Sequence, residues 1–236
     1  MTTSTSIGRL LVSLQLSDSA FPSGFYTMSH GLEGFAQARL IPAGGAGALL
    51  EDLLVASIGP GDATALARAH NAAERRDWDA VTELDHLLFA SKLNAELRVA
   101  STRSGRQLID IAAETFAGAE GGADIAEWAR RVKAKASPGC QPVATAVCYA
   151  ATGVPVAEAV ASDLFAFCVS FAGAALRLRL TDHRGAQVML REIQPIIEVV
   201  TADAAVRPAA DIGGFVPNAD IASAAHERAD ARLFTS

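Results

Sequence analysis

Aromatic residues are scarce: ten Phe, two Trp and two Tyr in 236 positions, against 49 alanines. Strands draw on Tyr, Trp and Thr, whereas alanine loses no side-chain entropy in a helix, so this balance excludes an all-β protein and predicts a helical one. Charged residues are only 19% of the chain and apolar ones 50%, which excludes disorder. Cysteine is nearly absent. Cys140, Cys148 and Cys168 are too few for a disulfide framework and show no C-x-x-C spacing, so a reducing compartment and a cytoplasmic location are expected. Positive charge is short as well, with 20 Lys and Arg against 26 Asp and Glu, a net charge of -6. The densest basic group, Arg130, Arg131, Lys133 and Lys135, would spread around a helix, which excludes a nucleic-acid face.

Long apolar runs are missing too. The longest uncharged stretch, Ala136 to Ala157, is broken by Pro138, Gly139, Pro142, Gly153 and Pro155. Leu164 to Leu176 is too short to cross ~30 Å of hydrocarbon at 1.5 Å per residue. No membrane span is expected, and Ser13, Gln15, Ser17 and Asp18 interrupt any signal-peptide core. Enzymatic signatures are also lacking: no phosphate-cradling Walker loop, no G-x-S-x-G elbow and no H-E-x-x-H. The chain is therefore expected to be no enzyme, and in particular no GTPase. His30, His70, His86, His183 and His226 are scattered without ligand spacing, so no metal site and no cofactor are expected. Glu51, Asp52 and Asp85 read as solvated carboxylates.

What is present is helical periodicity with clear punctuation, which predicts an all-α bundle of about eight to ten helices. Residues 1–205 read as one helical domain and 206–236 as a C-terminal tail, partly helical, flexible and suited to docking on a partner. Ile7, Leu10, Leu11 and Leu14 share one face of a first helix, and a second is expected from Phe25 to just before Pro42. Gly59-Pro60-Gly61 should end a third, with Asp62 capping the next and Asp77 the one after. Leu93 to Phe116 reads as a long helix, Asp124-x-x-Glu127 as a capping box, and Pro155 as a helix start. Pro195 should kink or interrupt a helix spanning 185–201.

The stretch from Gln15 to Glu33 is unlike the rest. Ser, Asp, Pro and Gly crowd between two apolar helices, and a Gly31 inside a helix would cost about 0.8–1.0 kcal/mol relative to Ala, which suggests close approach of another backbone. Pro22, Gly24, Tyr26, Ser29, Gly31, Leu32 and Glu33 here resemble, in register, the N-terminal motif of the UreF family of urease accessory proteins. Three further elements are similar to that family in the same order. They are Leu97-Arg98 to Gly105-Arg106, Ala174-Ala175-Leu176-Arg177-Leu178, and His226-Glu227-Arg228 followed by Arg232-Leu233-Phe234-Thr235-Ser236. The chain departs from the pattern at Phe25, at Cys140 where a histidine is common, and at Asp182-His183.

The resemblance implies a non-catalytic scaffold that binds UreD (also called UreH), recruits or gates the GTPase UreG, and so serves nickel insertion into apo-urease, with a homodimer as its own state. It implies partner contact through Pro22, Gly24, Tyr26, Ser29, Gly31, Glu33, Arg177, Arg228, Arg232, Leu233 and Phe234, with Glu33 the candidate for gating. Competing readings are a helical ligand-binding domain with a pocket near Tyr26, Ser29 and His30, and a metallochaperone using Cys140, Cys148, His183 or His30. Arg98, Arg103, Arg106 and Arg177 could suggest an arginine finger, but helical arginines are more often solvated or paired.

Overall fold

The computed structural model describes residues 6–21, 28–42, 44–226 and 233–234, and among them every regular element is helical. The helices α1 (Ser6–Ser17), α2 (Leu32–Gln37), α3 (Ala46–Leu53), α4 (Thr64–Glu74), α5 (Trp78–Ser91) and α6 (Ala95–Thr115) make the first half. The second half holds α7 (Gly122–Lys133), α8 (Gln141–Ala151), α9 (Val156–Arg177), α10 (His183–Glu192), α11 (Gln194–Val206) and α12 (Pro217–His226). These are more segments than the eight to ten expected, because short ones such as α2 and α3 carry too little periodicity to count.

At the centre lies α8, buried at every residue from Gln141 to Tyr149 and packed against α4, α6, α7 and α9. Alanine permits this. Ala144 and Ala146 on α8 and Ala65, Ala67, Ala69, Ala72 and Ala73 on α4 are buried, and small side chains let two helices approach closely. Around them a single cluster of buried apolar side chains runs from Leu16 to Phe234. Gly105 on α6 faces the loop before α8, where an added Cβ would lie 2.6 Å from the carbonyl carbon of Cys140. That contact explains the glycine in the Leu97–Arg106 element.

Four local expectations need correction. Gly59-Pro60-Gly61 does not end a helix: the chain stays helical from Ala46 to Glu74 by widening into a π-helix over Leu54–Ala63. The widened turn accommodates Pro60, while Thr64 Oγ1 donates to the Gly59 carbonyl at 2.9 Å and Gly213 N–H to that of Pro60 at 3.2 Å. Asp62 consequently caps nothing and instead pairs with Lys92 Nζ at 2.7 Å. The Asp124 and Glu127 carboxylates are likewise taken by arginines, Arg76 for the first and Arg130 and Arg131 for the second, rather than by a capping box. Finally, α9 is 22 residues long and by length and composition could cross a membrane, against the 13-residue run read from the sequence; half of its most apolar window is buried against other helices.

Other punctuation behaves as the local chemistry requires. Asp77 accepts from Ala80 N–H to cap α5, Pro155 precedes α9, and Ile193-Gln194-Pro195 divides α10 from α11. The apolar face of α1 points outward, with Ile7, Leu10, Leu11 and Leu14 each more than half exposed, while Leu16 is buried. Within the stretch read as a tail, α12 packs on α2 and buries Ala219, Ala222, Ser223 and His226.

Candidate functional site

The second helix was expected from Phe25, but α2 begins only at Leu32, and its approach runs through two residues with positive φ, His30 (54°) and Gly31 (82°). Gly31 therefore answers a left-handed backbone rather than the close approach expected, since its nearest neighbour, the Ala219 carbonyl oxygen, stands 3.9 Å from a built Cβ. The close approach occurs one turn later, where a Cβ on Gly34 would lie 2.5 Å from the Ala222 carbonyl oxygen. This is how α12 comes down onto α2. His30 is anchored on α9, with Nε2 2.8 Å from Ser170 Oγ and its ring 4.4 Å from that of Phe167. Burial, and secondarily the Arg177 charge, holds its pKa down at about 3, so the ring is neutral. Ser29 is fully buried and its Oγ accepts from Glu33 N–H at 3.4 Å.

Glu33 is the hub. Its side chain is only 6% exposed, and its carboxylate accepts from Leu233 N–H at 2.8 Å and Phe234 N–H at 3.0 Å. His226 Nε2 lies 2.9 Å from the same carboxylate, and Gln37 Nε2 donates to it at 3.4 Å. On the other side of the imidazole, His226 Nδ1 is 3.3 Å from Glu96 Oε2 in the first turn of α6. Phe234 is buried, with the Arg177 guanidinium 4.3 Å above its ring centre, a cation–π contact that ties the C-terminal segment to α9. The neighbouring Leu233 side chain is 66% exposed.

Of the residues expected to meet a partner, Ser29, Gly31, Glu33, Arg177, Leu233 and Phe234 thus converge on one face built by α2, α9, α12 and the C-terminal segment. Pro22, Gly24, Tyr26, Arg228 and Arg232 lie outside the described residues. Glu96 was missed; as an acidic residue in a first turn after the Asn94 cap, it reads as ordinary helix-start chemistry. His226 was read as a scattered histidine, although it opens a motif. Three of the four arginines are spent on carbonyls: Arg98 donates to Lys92, Arg106 to Pro138 and Arg177 to Gly173.

The proposed metal ligands are not brought together, and among the described residues no group of three or more His, Cys, Asp or Glu could hold a metal ion. Cys140 and Cys148 are buried, and burial pushes both thiols up, that of Cys148 to about 12, while His183 is exposed at the start of α10. Asp85, read as solvated, is fully buried and accepts from Ser137 Oγ and from the Gly139 and Cys140 N–H groups at 2.6–2.8 Å.

A cavity of about 380 Å³ opens below α1, lined by Tyr149, Asp163, Arg177 and His183 among others. Asp163 accepts from Gln141 Nε2 at 2.6 Å, yet burial raises its pKa from 3.8 to about 7. The folded chain then keeps a proton that the unfolded chain releases, so stability falls as pH rises from about 4 through 7 and is level beyond. Asp163→Asn, which keeps an acceptor for Gln141, is expected to stabilise the chain by about 2–4 kcal/mol at pH 8 and by little at pH 4. Denaturation midpoints at the two pH values check this; equal pH dependence in both proteins would refute it.

The fold and the site together define an all-helical protein whose C-terminal segment docks, through a buried carboxylate, on the helix of its own N-terminal motif. A family model described as UreF matches residues 42–194. The urease accessory protein UreF 2 of Brucella canis is 32% identical over 97% of this chain and 93% of its own length. Urease accessory proteins UreF of Bacillus sp. strain TB-90 and Arthrobacter sp. strain FB24 are each 30% identical, over 98% and 94% of this chain. The chain belongs to the UreF family of urease accessory proteins.

Proposed function

We propose that this chain is a non-catalytic adaptor of urease activation that binds UreD (UreH) and recruits or gates the GTPase UreG during nickel insertion, acting in the cytoplasm and as a homodimer. The observation that carries the reading is the convergence at Glu33 of motif elements some 200 residues apart, which assembles one surface from α2, α9 and the C-terminal segment. Such a surface presents an exposed leucine, Leu233, beside a fixed aromatic, as a docking face does. Glu33 would gate from below this face, by holding the segment that touches the partner. The outward stripe on α1 is an apolar face available for self-association.

Co-purification with UreD and UreG of the same source, sized by light scattering, tests the reading. The intact chain is expected to form a stable complex and the chain lacking Arg228–Ser236 to lose it. No complex from the intact chain, with all components folded, would overturn the proposal.

A further inference from the structure

The cavity of about 380 Å³ is a slot along α9. Asp163, Ala166, Val169, Gly173 and Leu176 line it at spacings of three or four residues, which puts them on one face of the helix, and Leu16 and Leu108 wall it from α1 and α6. A Cβ built on Gly173 meets nothing within 4 Å, so the space along that face is open. The inner end of the slot is polar. There Gln141 and Asp163 also line a second cavity, of about 80 Å³, so the Asp163 side chain stands between the two and keeps accessible surface in the interior of the protein.

Asp163 is not satisfied by its neighbours. Its Oδ1 accepts from Gln141 Nε2 at 2.6 Å, and the same amide gives its other hydrogen to Thr145 Oγ1 at 2.8 Å, so it has none left for Oδ2. Among the described residues no hydrogen bond reaches Oδ2. Nor is the charge matched. Asp62 and Lys92, which face the smaller cavity, pair with each other at 2.7 Å. Arg177 comes fourteen residues later on α9, about 21 Å at 1.5 Å per residue, with its guanidinium over Phe234, and Asp18 and His183 are exposed at the rim. An ionised Asp163 therefore lacks a counter-charge, which is why burial lifts its pKa to about 7, and a cation beside it would remove that cost. We propose that the slot binds a small organic cation, a primary ammonium on a linear apolar stem, with the ammonium on Asp163 and the stem along α9. An ammonium brings three N–H donors, one for Oδ2 and two for hydroxyl oxygens such as those of Thr145 and Tyr149, which line the same end. Asp163 takes no part in the contacts at Glu33, so the proposal is independent of the docking role.

The probe is n-hexylammonium chloride, with 1-hexanol as its uncharged match, titrated into the isotopically labelled full chain at about pH 8, where Asp163 is mostly ionised and the amine is charged. Amide shifts of α8 and α9 read the binding. The ammonium is expected to bind about ten- to hundredfold more tightly than the alcohol, as a hydrogen bond to a charged group provides. Asp163→Asn keeps the shape, removes the charge and is expected to abolish that preference. Ala166→Leu extends a side chain toward the preceding turn of α9, over Asp163, and is expected to weaken both probes by filling the slot. Equal affinities in the wild type, a preference that survives in Asp163→Asn, or no shift in α8 and α9 would overturn the site. Should Ala166→Leu disturb the fold, the Asp163→Asn comparison decides, because that substitution is expected to stabilise the chain at this pH.

Discussion

Glu33→Ala is expected to free the C-terminal segment together with α12 and abolish partner binding while leaving the helices of the core intact. The carboxylate accepts two main-chain N–H groups and faces a buried imidazole, so its removal leaves those buried N–H groups unpaired and takes one carboxylate from His226. Breaking a buried, hydrogen-bonded charge cluster from one side costs about 3–5 kcal/mol. Little resists that loss locally, because α12 has ten residues and an isolated helix of that length is marginal in water. The remaining core has its own contacts: α8 packs against α4, α6 and α9, and α4 against α9, with only the first turn of α6 and the last turn of α9 reaching the cluster. Amide exchange in α12, with light scattering of the mixture with UreD and UreG, reads both effects. A Glu33→Ala chain that keeps α12 protected and still forms the complex would remove Glu33 from the mechanism. Glu33→Gln keeps one oxygen acceptor but not the charge and should fall between the two.

How far these features were legible in the sequence follows from how local their causes are. Asp77 capping α5, Pro155 opening α9 and Pro195 dividing α10 from α11 depend on a few neighbouring atoms, and each is readable from a short window. The π-helix at Leu54–Ala63 is not, because part of its compensation comes from Gly213, some 150 residues away. Gly31 was noticed for a packing reason that belongs to Gly34, since sequence alone does not show which glycine faces another backbone. The motif residues Ser29, Glu33, Arg177 and Phe234 stood out by pattern. Their convergence, and the part played by Glu96, needed the fold, because Glu33 and Glu96 reach His226 across 193 and 130 residues of chain. Carboxylates read as solvated when their donors are distant, and Asp85 is the clearest instance.

Asp85→Ala is expected to lower global stability by about 3–5 kcal/mol. The Asp85 side chain crosses from α5 to the loop before α8 and accepts Ser137 Oγ, Gly139 N–H and Cys140 N–H, all within 2.8 Å. Cys140 is the N-cap residue of α8, so the carboxylate stands at the positive end of the most buried helix in the chain, where negative charge is stabilising. Alanine leaves two main-chain N–H groups buried without an acceptor, each costing about 1–3 kcal/mol, and opens a void in a loop that Gly105 already holds in tight contact. Asp85→Asn retains one acceptor oxygen and is expected to lose roughly half as much. Urea denaturation of the two variants against wild type measures this, and a loss below about 1 kcal/mol for Asp85→Ala would show that water or a loop rearrangement replaces the carboxylate. Cys140, read from the sequence as a departure from the family pattern, belongs to the same argument. Its thiol is buried 3.8 Å from the Asp85 carbonyl oxygen and its N–H is one of the three donors, so the departure sits inside the structural joint between α5 and α8. Cys140→His should therefore act first on stability, through the added volume in a filled core, and on partner binding only as far as α8 is displaced.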